Sequence, residues 1–277
     1  MPRLRPSRRT LLSAAAFGFM RAGRALAAEP PAGAPAGAPA GAPVVAAAAD
    51  LTYALTETAA AFTRAGGREV KLVFGSSGNF AAEIANGAPF EIFLSANESY
   101  VATLARAGHT RDAGVLYAEG RIGILAAPGA AFTADPALDG LRAALAGGGA
   151  WKFAIANPAH APYGRAAREA LTHAGLWEAL TPHLVLGENA AQTAQFIRAG
   201  AAAGGVIPLS LASAPVFATV GHFALIPADW HQPLRQRMVL LRGAGATARD
   251  FYAFVQQEPA RAIFRRYGFL LPGERPG

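Results

Sequence analysis

The sequence predicts an α/β fold of mainly parallel strands flanked by helices. Three observations lead there. Short apolar runs without polar alternation recur along the chain, as in strands buried on both faces. Segments with apolar residues at i, i+3, i+4 and i+7 fall between most of these runs. The chain has 277 residues, 52% of them hydrophobic, enough for one large unit or two lobes of ordinary size.

The elements follow in order. VVAAAA, starting at Val44, reads as a first buried strand. Leu51, Ala54, Leu55, Thr58, Ala59 and Phe62 then share one helical face. VKLVF (70–74) is a second strand, and FAAEIANG a short helix ending at Gly87. EIFLSA (91–96) is a third strand, with a helix over 98–107 stopped by Gly108. RIGILAA, WKFAIA, HLVLG, GGVIPL and MVLL are further strands. Residues 249–267 have helical periodicity with a break near Pro259. Such alternation implies sheets covered on both faces, with ligands bound where strand carboxyl ends meet helix N-termini.

Two flanking segments stand outside this pattern. Residues 1–27 combine a basic start (MPRLRPSRR), an apolar run from Leu11 to Met20 and small residues at Ala25-Leu26-Ala27, the pattern of a signal peptide. The string Ser7-Arg8-Arg9-Thr10-Leu11-Leu12 is similar to a twin-arginine signal. Export to the periplasm is expected, by the twin-arginine or the general route. Residues 28–43 are a Pro/Ala/Gly repeat without large apolar side chains, expected to be a linker.

Charge and cysteine content exclude several classes. The formal net charge is +7, but six arginines lie in the first 28 residues, which carry no acid, so the remainder is +1. A near-neutral body has no footprint for nucleic acid. With no cysteine there is no disulfide framework, thiolate metal site, cysteine nucleophile or lipid-modified cysteine anchor.

Four strand-to-helix junctions carry the candidate chemistry: AAAAD-LT around Asp50, FGSSGNF (74–80), ANPAHAPYG (156–164) and LGENAAQ (186–192). A helix N-terminus offers unpaired N–H groups and a partial positive charge, so several aimed at one point bind an anion without Lys or Arg. Segments 74–80 and 156–164 hold neither. Gly75 and Gly78 permit close backbone approach, and Ser76 and Ser77 add hydroxyls. Each junction alone reads as an ordinary cap or turn; the four together point to an oxyanion.

AAAADLTYAL, FGSSGNFAAEIANGAPFEIFLSA, IANPAHAPYGRAAREAL and LGENAAQTAQF resemble the periplasmic molybdate-binding proteins of ABC transporters, over about residues 44–270. The resemblance implies a two-lobed type II periplasmic-binding fold with the ligand cleft between the lobes. It implies one lobe from 44–120 plus 236–271 and another from 121–235. It implies a monomer without cofactor that hands molybdate or tungstate to a membrane permease. The metal is met only inside its oxyanion. By position, Asp50 stands for the first-loop serine and Ser77 for the second-loop serine ligand. Tyr163 and Ala190 are expected to give backbone N–H groups. Ser76, Asn79 and Asn189 are further candidates, and Pro208 falls where some members place a ligand tyrosine. Asp50 and Pro208 depart from the family pattern, with Asn79 and Ser210 as possible compensators. Asp50 has two readings: a cap on the first helix, which is favoured, or a carboxylate in the cleft. A carboxylate in the cleft would suit only a ligand that brings a proton, such as monohydrogen phosphate.

Competing functions are binding of sulfate, thiosulfate or phosphate, and a periplasmic hydrolase. The latter would use Ser76 or Ser77 with His160 as base. GSSG is not the G-x-S-x-G elbow, and the six histidines lack metal-ligand spacing, so no catalysis is expected.

Overall fold

The computed structural model describes residues 41–274. The expected leader (1–27) and all but the last three residues of the expected linker (28–43) lie outside them.

The chain begins with β1 (Val44–Ala48), α1 (Thr52–Arg64), β2 (Lys71–Gly75), α2 (Ser77–Ala85), β3 (Ile92–Ser95), α3 (Glu98–Arg106) and β4 (Val115–Gly120). After Arg121 it continues with β5 (Ile122–Ala126), α4 (Asp139–Gly147), β6 (Phe153–Ala156), α5 (Pro162–His173) and α6 (Trp177–Leu180). Then come β7 (Leu184–Gly187), α7 (Ala190–Arg198), β8 (Gly204–Pro208), α8 (Leu209–Ala212) and β9 (His222–Leu225). The last elements are β10 (Leu234–Leu240), α9 (Ala246–Val255) and α10 (Glu258–Arg266).

Two five-stranded sheets result, in the orders β2-β1-β3-β10-β4 and β7-β6-β8-β5-β9. The chain passes from the first to the second at Arg121 and returns between β9 and β10. The return strand begins at Leu234, two residues before Gln236. β1 runs parallel to β2 and β3, and β6 parallel to β7 and β8. Every antiparallel pairing involves β5 or β10, the first strand after each passage. The sheets are therefore mixed, with parallel strands where strand–helix alternation is uninterrupted.

β1 shows why an all-apolar strand is needed. Val45 and Ala47 pack with Leu51, Leu55 and Phe62 of the α1 side and with Phe251, Phe254 and Phe264 of α9 and α10. Ala46 faces the opposite side, against Phe80, Ile84, Val101 and Leu104 of α2 and α3. Both faces are covered, so neither can carry polar residues. Local signals set the helix ends. Asn97 caps α3 by accepting from Ser99 N at 2.8 Å, and Gly108, at φ 78°, follows its end. Pro259 sits in the first turn of α10, which accounts for the break.

Two strands were not expected. β4 and β9 are the outer strands of their sheets. β9 is four residues long, with no residue buried, so periodicity has little to register. Its strand geometry comes from pairing with β5.

Candidate functional site

The four junctions meet. A small pocket is lined by residues 48–50, 75–77, Ala96, 161–163 and 189–190. These are the carboxyl ends of β1, β2, β3, β6 and β7 and the starts of the helices that follow. The pocket takes residues from both sheets' layers, and its only charged lining residue is Asp50. A larger open groove runs along α5 past Arg165, Arg168, Glu169 and Asp229. Its charges of both signs offset one another, so it offers no preference for an anion.

Ser77 is the first residue of α2 and is fully buried. Its Oγ accepts from Ala96 N at 3.0 Å. Among the described residues it donates to no protein acceptor, which leaves its proton for a ligand. Ala190 opens α7, and Tyr163 is the second residue of α5 after Pro162. As first-turn residues, Ser77, Tyr163 and Ala190 have N–H groups with no carbonyl to reach in their own helices. Donors and helix-start dipoles therefore converge on one small space.

Asp50 corrects the favoured reading. A turn of 3-10 helix, Ala49–Leu51, precedes α1, so Asp50 lies inside a helical turn and makes no capping bond. Its carboxylate is buried, and Oδ2 accepts from Tyr163 Oη at 2.9 Å and Gln236 Nε2 at 2.6 Å. Oδ1 is buried and has no partner. Burial raises the Asp50 pKa from 3.8 to about 6, against the opposing hydrogen bonds from Gln236, Tyr163 and its own backbone N–H. Tyr117 Oη donates to Gln236 Oε1 at 2.6 Å, completing the network. Burial, with the Asp50 charge second, pushes the phenols of Tyr117 and Tyr163 well above their usual range, so both stay protonated donors.

The remaining candidates take other places. Asn189 Oδ1 caps α7 by accepting from Gln192 N at 3.0 Å, so Asn189 borders the pocket as a cap. Asn79 is exposed and outside the lining, because the third position of α2 turns away from the pocket. Pro208 is buried in β8, paired with Ile122, and is not a lining residue. Ser210 donates to the Asp50 carbonyl at 2.8 Å, which anchors that turn. Gln236 and Tyr117 were missed. One signal existed for Gln236: it shares the inward face of β10 with Leu234 and Met238, where a polar side chain needs a partner.

A clasp crosses the rim. The His160 carbonyl accepts from Gly78 N at 3.0 Å and Ser76 Oγ at 2.7 Å. The His160 ring stands 2.9 Å from Ser76 Oγ through Nδ1 and 3.5 Å from Glu188 through Nε2. Serine, histidine and acid in this order suggest a nucleophile with its base. Yet the single Ser76 proton is directed at the His160 carbonyl, so the ring has no proton to abstract in this arrangement.

Comparison with known proteins places this geometry. Residues 43–270 match the bacterial extracellular solute-binding protein family. The molybdate-binding protein ModA of Rhodobacter capsulatus is 33% identical over 230 residues, 82% of this chain and 87% of that protein. ModA of Escherichia coli (strain K12) is 31% identical over 266 residues, 94% of this chain and 97% of that one. The solved periplasmic molybdate-binding protein of Azotobacter vinelandii superposes with a TM-score of 0.73 at 30% identity, covering 83% of this chain and 99% of that structure.

Proposed function

The chain belongs to the bacterial extracellular solute-binding proteins, in the family of the periplasmic molybdate-binding proteins, and from that premise we propose that it captures molybdate or tungstate for an ABC importer. One observation carries the reading: the 3-10 turn before α1 and the starts of α2, α5 and α7 converge on a pocket that, among the described residues, no Lys or Arg lines. Buried donors that need no counter-charge suit a compact, fully deprotonated anion. Ser77 supplies its hydroxyl, and Tyr163 and Ala190 supply backbone N–H groups. The protein meets only the oxygens of the anion, so no residue ligates the metal.

The rest of the reading follows from this role. Residues 44–120 with 236–271 act as one lobe and 121–235 as the other, a division that the two sheets support. The ligand draws the lobes together, and the closed form docks on the membrane permease. Residues 1–27 direct export, through the twin-arginine route, and are removed. The mature protein acts as a monomer and performs no catalysis.

Calorimetric titration of the mature protein with molybdate, tungstate, sulfate and phosphate in parallel tests the assignment. Molybdate and tungstate should bind at least tenfold more tightly than sulfate or phosphate, a difference of about 1.4 kcal/mol. Tighter binding of sulfate or phosphate would overturn it.

A further inference from the structure

We infer that Asp50 enters the anion complex as the neutral acid and donates its Oδ1 proton to a ligand oxygen, so that binding takes one proton from solution. The inference rests on the oxyanion reading above and adds the protonation state of the complex.

The geometry carries it. Asp50 lines the pocket, and its two oxygens differ sharply. Oδ2 already accepts from both Tyr163 and Gln236, and Gln236 is held in that orientation by the Tyr117 hydroxyl on its other end. Oδ1 is buried without any partner. A proton on the carboxyl therefore belongs on Oδ1. Left ionised, Asp50 would stand beside the anion as a second negative group. Two unit charges ~4 Å apart oppose each other by about 4 kcal/mol at an effective dielectric of 20, roughly a thousandfold in affinity. Protonation removes that repulsion and turns the same atom into a donor.

Among the described residues, none that lines the pocket around Asp50 offers a cation as the alternative. Tyr163 of α5 and, through Gln236 of β10, Tyr117 of β4 are the titratable groups of its network, and both stay neutral. Ser210 of α8 holds its carbonyl, and the α2 and α7 lining residues Ser76, Ser77, Asn189 and Ala190 carry no charge. The His160 ring, 3.5 Å from Glu188 through Nε2, lies at the partly exposed rim. Burial holds Asp50 at about 6, so the acid form is within reach at neutral pH.

The test is calorimetric titration of the mature protein with sodium molybdate at micromolar concentration, between pH 6.5 and 8.5, in buffers of different ionisation enthalpy. Proton uptake should approach one per anion above pH 7, and affinity should fall about tenfold per pH unit, because the competent acid fraction falls by that factor. Asp50→Asn copies the acid, with its carbonyl in place of Oδ2 and its amide in place of Oδ1. It should abolish both the uptake and the slope, and at pH 8 it should bind about a hundredfold more tightly than the wild type. Molybdate binding without uptake or slope overturns this inference and leaves the proposed function standing. A wild type that ignores molybdate but binds inorganic phosphate without uptake overturns the function itself, since that anion brings its own proton. The wild-type measurement decides the question even if the variant fails to fold.

Discussion

Ser77 and Asp50 show how much one side chain decides. Ser77 Oγ accepts from Ala96 N and donates to no acceptor among the described residues. Ser77→Ala should therefore weaken molybdate binding by about 1.5–3 kcal/mol, the range for a hydrogen bond to a charged group. It should also lower stability by about 1 kcal/mol, because Ala96 N loses its acceptor. Calorimetry and thermal melting read the two effects separately. An equal affinity loss from Ser76→Ala with none from Ser77→Ala would assign the donor to the wrong hydroxyl. Asp50 predicts a second, ligand-free effect. Its pKa rises from 3.8 unfolded to about 6 folded. Between these values the folded protein holds a proton that the unfolded chain releases. Its contribution to stability is thus full below the unfolded pKa and lost as pH rises through the folded one. The whole change is about 3 kcal/mol, of which about 1 kcal/mol falls between pH 5 and 7. Urea denaturation at those two pH values should show wild type losing that much more than Asp50→Asn. Parallel losses in the two proteins would contradict the assigned burial.

At the scale of elements, helix starts are held against one another by glycines. A Cβ on Gly78 would stand 2.6 Å from the His160 carbonyl oxygen and 2.8 Å from Tyr100 Oη. The His160 backbone cannot give way without parting α2 from the loop before α5. Gly78→Ala should cost at least tenfold in molybdate affinity and about 1–3 kcal/mol in urea stability, because the added carbon overpacks the clasp. Gly147→Ala, with nothing within 4 Å of the new carbon, is the control and should change neither. Unchanged affinity in Gly78→Ala would remove the Ser76–His160 clasp from the bound form. The junctions themselves were legible in the sequence because strand runs, small residues and caps are local signals. The outer strands β4 and β9 were not, because partners across the sheet define them.

At the scale of the whole molecule, the proposed function makes the anion a tie between the two lobes. Saturation with molybdate at a hundredfold excess over Kd should raise stability by about 2.7 kcal/mol, provided the unfolded chain does not bind it. Small-angle scattering should show a more compact particle on addition. No change in either would refute ligand-driven closure. Export makes a separate prediction: mass spectrometry of the periplasmic protein should find a new N-terminus near Ala28, and intact Met1 in that pool would contradict it.

By itself the sequence determined most of the strands and helices in their order, the four segments that line the pocket and the family to which the chain belongs. Periodicity, capping residues and motif blocks act over a few neighbouring residues, so one dimension carries them. The tertiary structure alone decided what Asp50 does. Its partners Tyr163 and Gln236 lie 113 and 186 residues away along the chain. No spacing rule links such positions; only the return of the chain through β10 and the approach of α5 bring them within hydrogen-bond reach. The same folding buries the carboxylate, and burial changes a routine capping residue into a group that titrates near neutrality.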